Sequence, residues 1–276
     1  MISSINDCAV LKNGVRMPWL GLGTWQTPDG KDVTNAVKWA VGAGYRHIDT
    51  AAAYDNEGGV GKGIKDCGVA RDTLFITTKL WNADHGYDST LRAFDVSCKK
   101  LGIEMLDLYL IHWPVKGKYR DTWKAFEKLY KDKRVRAIGV SNFQVHHLQD
   151  VMSGCEVVPM VNQVELHPLL TQKALRAFCA KNEIRVTAWS PLMHGHMGES
   201  PVLAEIAKRL GRSPAQVLIR WDLQHEVVTI PKSTHQEWIV DNTKVYDFSL
   251  SADDMAKLDG LNADKRFGPD PDNFNF

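Results

Sequence analysis

Short apolar, β-branched runs alternate with helix-like stretches along nearly the whole chain, and this alternation limits the fold more than any other feature. The runs lie at 20–25, 45–48, 74–79, 106–112, 136–142, 160–165, 185–190 and 227–230. Helical patterns fill the gaps. Tyr87, Leu91, Phe94, Cys98 and Leu101 recur at the three- and four-residue spacing of one helix face. Further helices are predicted at 33–43 (closed by Gly44), 60–67, 121–130, 145–152, 172–181, 202–210, 214–224 and 237–245. Pro214 behind Ser213 is a good start signal, and Ser251-Ala252-Asp253-Asp254 opens a last helix that runs to 261. Eight strand–helix repeats joined by right-handed crossovers close into a (β/α)8 barrel, an α/β fold. Ala9-Val10-Leu11 and Val15-Arg16-Met17 flank Asn13-Gly14, so an N-terminal β-hairpin is expected to cover one end. A C-terminal extra helix and an irregular tail, 266–276, follow the repeats.

An open doubly wound sheet is the competing fold. It usually carries a glycine-rich phosphate turn after its first strand. Here Gly21-Leu22-Gly23 lacks the third glycine, and Gly58-Gly59-Val60-Gly61-Lys62-Gly63 fits neither phosphate-loop spacing, so it reads as a tightly packed helix start. At 276 residues with short linkers, 1–276 reads as a single barrel domain. Net charge is +1 with the signs interspersed, which marks no nucleic-acid or membrane surface. Five cysteines without a Cys-x-x-Cys pair read as reduced thiols in a cytoplasmic protein. His146-His147 and His194-Gly195-His196 lack ligand spacing with cysteines or carboxylates, so no metal is expected. No signal pattern opens the chain, and no apolar run approaches the roughly 18 residues that span a bilayer.

In such barrels chemistry sits at the C-terminal ends of the strands. The polar residues there are Asp49, Lys79, His112, Ser141 with Asn142, Gln163 with Glu165, Ser190 after Trp189, and Lys232 with Ser233; Tyr54 stands in the loop beyond Asp49. Each has an ordinary structural reading alone: a capping Asp, a packing Tyr, a solvated Lys, a satisfied His. Together they make consistent chemistry. A phenol, with an ordinary pKa of about 10, is a poor acid at neutral pH. A nearby ammonium lowers that value, and a partly buried ammonium needs a carboxylate. Asp49 is therefore expected to hold Lys79, Lys79 to acidify Tyr54, and Tyr54 to give a proton to an oxygen. His112 would orient and polarise a carbonyl. Reducing that carbonyl needs a hydride, which side chains cannot supply, so a nicotinamide cofactor is implied. Trp189 is the candidate to stack on its ring, Ser141, Asn142 and Gln163 to bind its carboxamide, and Lys232-Ser233 to bind phosphate. The alternative is an aldolase-type barrel with Lys79 as Schiff base. It needs a lysine free of a carboxylate and leaves Trp189 and Lys232-Ser233 without a role.

Several segments carry a resemblance. They are Gly44-Tyr45-Arg46-His47-Ile48-Asp49-Thr50-Ala51, Thr77-Thr78-Lys79-Leu80-Trp81-Asn82 and Asp107-Leu108-Tyr109-Leu110-Ile111-His112-Trp113-Pro114. Further along come Ile138-Gly139-Val140-Ser141-Asn142-Phe143, Asn162-Gln163-Val164-Glu165-Leu166-His167-Pro168, Trp189-Ser190-Pro191-Leu192 and Ile230-Pro231-Lys232-Ser233. With them the chain resembles the aldo-keto reductase family over almost its whole length. It looks closest to the microbial branch of diketogluconate reductases, glyoxal/methylglyoxal reductases and trypanosomatid prostaglandin F synthases.

The resemblance implies NAD(P)H-dependent reduction of aldehydes and ketones, with Asp49, Tyr54, Lys79 and His112 as the catalytic tetrad. It implies NADPH bound extended, without a Rossmann domain. The residues for it would be Ser141, Asn142, Gln163, Trp189, Ser190, Pro191, Leu192, Lys232, Ser233, Thr234, His235, Trp238 and Asn242. Trp25, Trp81, Trp113 and His112, with Phe274 or Phe276, would line the pocket for a small carbonyl substrate. A monomer is the family default. A relative that keeps fold and cofactor without catalysis is the third reading, against which the intact tetrad argues. The chain departs from the branch at Trp238, where an Arg is usual, and at His235, which implies a weakened NADPH preference and NADH use as well. His194-Gly195-His196, Asp55 and Gly58 also differ from the branch's usual residues.

Overall fold

The computed structural model describes residues 2–274 and 276 of the chain. Among them a two-stranded antiparallel hairpin, β1 (Cys8–Val10) and β2 (Arg16–Pro18), precedes eight parallel strands. These are β3 (Leu22–Gly23), β4 (His47–Asp49), β5 (Phe75–Leu80), β6 (Leu106–Ile111), β7 (Val135–Ser141), β8 (Val161–Glu165), β9 (Arg185–Trp189) and β10 (Val228–Thr229). They lie side by side in chain order, as repeated crossovers require. The helices are α1 (Lys31–Gly42), α2 (Glu57–Asp66), α3 (Tyr87–Leu101), α4 (Tyr119–Lys131), α5 (Val145–Met152), α6 (Lys173–Lys181), α7 (Pro201–Leu210), α8 (Pro214–Gln224), α9 (Gln236–Asp241) and α10 (Ala252–Asp259). Among the described residues none is long and apolar enough to cross a membrane.

The sheet closes on itself through its two shortest strands. Gly21 N–H donates to the Thr229 carbonyl at 2.9 Å, Gly23 N–H to that of Pro231 at 3.1 Å, and Thr229 N–H to that of Trp19 at 2.9 Å. Parallel bridges Leu20–Thr229 and Gly23–Lys232 complete the seam. Both glycines are needed there: a Cβ would lie 2.6 Å from His47 Nδ1 at Gly21 and 2.7 Å from the Ile230 carbonyl at Gly23. The hairpin covers the end where the strands begin. Asn13 donates to the Arg136 carbonyl at 2.9 Å, and the Arg185 guanidinium sits 5.0 Å over the Trp19 ring.

Between barrel and helices an aromatic layer is fully buried. Tyr109 stacks on Phe126 at 4.6 Å and meets Phe94 edge-on at 5.3 Å. Each such side chain contributes about 1.5–3 kcal/mol by leaving water. Helix starts follow the sequence signals. Ser213 and Ser251 accept from the backbone N–H of Gln216 and Asp254, whose side chains accept in return from the serine N–H groups.

Several boundaries differ from the sequence reading. The second barrel strand is His47–Asp49 rather than 45–48, α2 begins at Glu57 rather than at 60, α9 ends at Asp241 rather than at 245, and the first and last barrel strands shorten to Leu22–Gly23 and Val228–Thr229. The glycines that obscure this helix start exist for packing. A Cβ at Gly59 would lie 2.4 Å from Val33, at Gly63 2.7 Å from Val37, and at Gly61 2.5 Å from the Leu101 carbonyl. The bare face of α2 thus lets it lie close against α1 and the end of α3. Gly58, in the same helix, has nothing within 4 Å. Gly61→Ala is therefore expected to lower stability by about 1–3 kcal/mol through overpacking. Gly58→Ala is expected to be neutral or to raise it by about 0.5–1 kcal/mol. Urea denaturation of the two variants checks the contrast.

Candidate active site

Asp49 ends β4, Lys79 lies in β5, His112 follows β6, and Tyr54 ends the 3-10 turn Ala52–Tyr54 after β4. The parallel register brings these four side chains together at the C-terminal mouth of the barrel. Lys79 Nζ donates to Asp49 Oδ1 at 2.5 Å, to the Thr50 carbonyl at 2.8 Å and to the Tyr54 hydroxyl at 3.3 Å. These three acceptors match the three protons of an ammonium. Gln163 Nε2 donates to the other Asp49 oxygen at 2.7 Å. The His112 ring stands edge-on to Tyr54 at 5.6 Å and to Trp81 at 5.5 Å. Its Nδ1 is buried with no partner among the described residues.

The charges follow from burial and contact. Burial alone would push the Lys79 amine down, but Asp49 and Tyr54 outweigh it and hold the amine above its ordinary value. Burial, helped by the Lys79 charge, pushes His112 well below its ordinary value, so the ring is neutral at pH 7. Burial also raises Tyr54, and the opposing pull of Lys79 does not reverse it. This corrects the expected net acidification. The Lys79 effect has the expected sign and is smaller than the cost of putting a phenolate in the interior. Tyr54 therefore keeps its proton at neutral pH.

A residue outside the predicted set holds the loop in place. Asn56, fully buried, donates to the carbonyls of Thr24 and Thr27 at 2.9 and 3.0 Å and accepts from the Thr50 hydroxyl at 2.7 Å. Beside it the buried Glu57 accepts from the Thr78 hydroxyl at 2.7 Å. The only trace in the sequence is that two polar residues follow Asp55, which turns the chain with a φ of +51°. Spacing does not say that both point inward.

A second group forms at the ends of β7, β8 and β9. The Ser141 hydroxyl donates to the Gln163 carbonyl at 2.8 Å, and Asn142 Nδ2 donates to the His112 carbonyl at 3.0 Å. Trp189 Nε1 donates to Asn142 Oδ1 at 2.8 Å. Ser190 turns the chain with a φ of +51°, and Pro191 and Leu192 lead from it into the His194 loop. A third group lies after β10. The exposed Lys232 follows the seam, and Ser233 Oγ accepts from His235 N–H at 3.0 Å, with Thr234 between them. The exposed rings of His235 and Trp238 lie 4.2 Å apart, and Asn242 closes α9 with its side chain buried.

The predicted tryptophans divide. Trp81 and Trp113 flank His112, and the tail covers them. Phe276 stacks on Trp81 at 5.9 Å, Phe274 lies 5.2 Å from Trp113, and Asn82 Nδ2 donates to the Phe276 carbonyl at 3.0 Å. Trp25 instead faces His194 at 5.3 Å. The tail is anchored by Glu165, whose buried carboxylate accepts from Phe267 N–H at 2.6 Å and Gly268 N–H at 3.2 Å, and which also contacts His167 at 3.1 Å. Gly268 then passes so close to Trp189 that a Cβ would lie 2.4 Å from the ring. Glu165 was legible as a strand-end polar residue, but its role in holding the tail was not.

A site that keeps a proton ready for an oxygen, and leaves the hydride to a bound group, has the division of labour of a carbonyl-reducing oxidoreductase. The comparisons with known proteins agree. The sequence profile described as the Aldo/keto reductase family matches residues 19–263. The chain is 57% identical over 271 residues to the 9,11-endoperoxide prostaglandin H2 reductase of Trypanosoma cruzi, covering 97% of this chain and 96% of that protein. It is 56% identical over 276 residues to the glyoxal reductase of Bacillus subtilis, covering 100% of both. A crystal structure of a Gox0644 mutant in complex with NADPH superposes with a TM-score of 0.93 at 46% identity, over 98% of each chain. The chain belongs to the aldo/keto reductase family, and its (β/α)8 fold is that of its structural neighbours.

Asp49→Asn would leave the buried Lys79 ammonium without its counter-charge. A stability loss of about 3–5 kcal/mol at pH 7 is expected, read by urea denaturation. Lys79 is raised in the folded protein, so its contribution is complete below the unfolded value of about 10.4 and is lost as pH rises through the folded value. The difference between parent and variant should therefore shrink at strongly alkaline pH.

Proposed function

We propose that this protein reduces small aldehydes and α-dicarbonyl compounds of the glyoxal type to alcohols, with NADPH as cofactor and Tyr54 as proton donor. The observation that carries the reading is the Lys79 ammonium, held at 2.5 Å by Asp49 and placed 3.3 Å from the Tyr54 hydroxyl. As Tyr54 gives its proton to the substrate oxygen, a phenolate develops, and the ammonium in contact with it lowers the cost of that charge. Neutral His112 can offer a ring N–H to the same oxygen without competing for the proton. The name of one relative, glyoxal reductase, supports a dicarbonyl substrate, while that of another, 9,11-endoperoxide prostaglandin H2 reductase, points to an endoperoxide as a second substrate class in the family.

The residues present fit a nicotinamide. Trp189 offers a half-buried indole, fixed at its edge by Asn142 and abutted on one side by Gly268. Gln163 and Ser141 add an amide and a hydroxyl beside it, the donor and acceptor types that a carboxamide requires. Bound there, the cofactor would supply the hydride. Ser190, Pro191, Leu192, Lys232, Ser233, Thr234 and Asn242 are assigned to the remainder of its length. At its far end Trp238 and His235 offer aromatic faces and no guanidinium, so Lys232 alone would meet a 2′-phosphate. NADH use is therefore part of the reading. The Schiff-base alternative is disfavoured because Lys79 is charged and paired, not a free amine.

With NADPH and glyoxal, methylglyoxal or a nitrobenzaldehyde, Tyr54→Phe is expected to lower turnover by about 10²–10⁴-fold while cofactor binding persists. Near-parent turnover would overturn the assignment of Tyr54, and no turnover by the parent would favour the binding-only relative. The ratio of kcat/KM with NADPH to that with NADH should stay below roughly a hundredfold, and Trp238→Arg should tighten NADPH binding by about tenfold. A parent ratio of several hundredfold would refute the argument from Trp238.

A further inference from the structure

We propose that His146 and His147, at the start of α5, and Asp272, in the tail, form a site for a divalent metal of the zinc type that fastens the tail beside the active-site mouth. Among the described residues these are the one group of three potential ligands with donor atoms all within 4.8 Å. His146 Nε2 and His147 Nε2 are 3.1 Å apart and lie 3.0 and 3.4 Å from the same Asp272 oxygen. Ligands about 2.0–2.1 Å from a tetrahedral zinc lie roughly 3.3 Å from one another. Two imidazoles and one carboxylate are the ligand types zinc takes, with the fourth position left to water.

Hydrogen bonding alone does not satisfy this triangle. If both rings carry a proton toward Asp272, two N–H donors adjoin at 3.1 Å. If His146 gives up its proton, its lone pair faces a carboxylate oxygen at 3.0 Å. At most two of the three contacts can be favourable, and a central cation makes all three so. The site is also rigid on one side. The His147 ring is packed edge-on against Phe143 and Tyr119 at 5.8 and 6.0 Å. His147 Nδ1 accepts from Gln144 N–H at 3.1 Å. Metal at Nε2 needs the ring proton on Nδ1, so binding breaks the Gln144 cap hydrogen bond and sets two N–H donors against each other there, a cost the metal bonds must exceed.

The place in the fold gives the site a consequence. Upstream the tail is held by Glu165 at Phe267 and Gly268. Two residues beyond Asp272, Phe274 packs on Trp113. A metal on Asp272 would secure the span between these anchors and keep the aromatic cover on Trp113 closed. This consequence, unlike the binding itself, rests on reading Trp81 and Trp113 as pocket residues.

The test is a zinc titration of the full-length protein against a chromophoric chelator, with limited proteolysis of the tail as a second readout. One equivalent is expected in the parent, with His146→Gln and Asp272→Asn each weakening it by about tenfold or more. Zinc should protect the parent's tail from protease and raise KM for glyoxal, and should do neither in His146→Gln. Equal zinc affinity in parent and variants, or no equivalent in the parent, would overturn the site. Zinc bound at one equivalent without tail protection would overturn the fastening. If the protein turns over no carbonyl, titration and proteolysis still decide the site, and the failure belongs to the proposed activity.

Discussion

Everything at the mouth of this barrel depends on a seam of backbone hydrogen bonds between its first and last strands. Gly21 and Gly23 meet Thr229 and Pro231 there because neither glycine carries a side chain into His47 or the Ile230 carbonyl. Closure at this point removes both sheet edges, which would otherwise expose unpaired N–H and C=O groups. It also makes eight strand ends converge on one opening. Asp49, Lys79 and His112 are neighbours because β4, β5 and β6 are neighbours in register, and Trp189 joins them because the sheet curls round.

Within that opening the buried ammonium of Lys79 sets the chemistry. An ammonium taken out of water is unfavourable unless charge and hydrogen bonds replace its hydration. Asp49 and the Thr50 carbonyl do so, and the third proton is left for Tyr54. The same burial raises the phenol and lowers the imidazole. One low-dielectric pocket thus keeps an acid protonated, a histidine neutral and a lysine charged at the same pH. Asn56 and Glu57 brace the loop that makes this arrangement, tying it to the loop after β3 and to β5.

The tail completes the site from outside the barrel. Glu165 fixes it beside Trp189, where only a glycine fits, and its phenylalanines close over Trp81 and Trp113. The aromatic floor and the aromatic cover thus come from stretches far apart in the chain. Asp272 carries the same tail past two histidines on α5, where the donor atoms form a compact triangle.

Local pattern was enough for much of this. The alternation of runs determined the barrel, the position of polar residues at strand ends determined Asp49, Lys79 and His112 as a set, and capping signals determined where α8 and α10 start. These are legible because each depends on residues a few positions apart. The start of α2 was obscured because its glycines serve contacts with α1 and α3, not local conformation. The inward turn of Asn56, the facing of Trp25 toward His194, and the upward net shift of Tyr54 depend on what lies across space. The sequence by itself determined which residues stand at the mouth of the barrel. Tertiary structure alone decided how deeply they are buried and which distant groups meet them, because desolvation and contact arise only when the chain is closed.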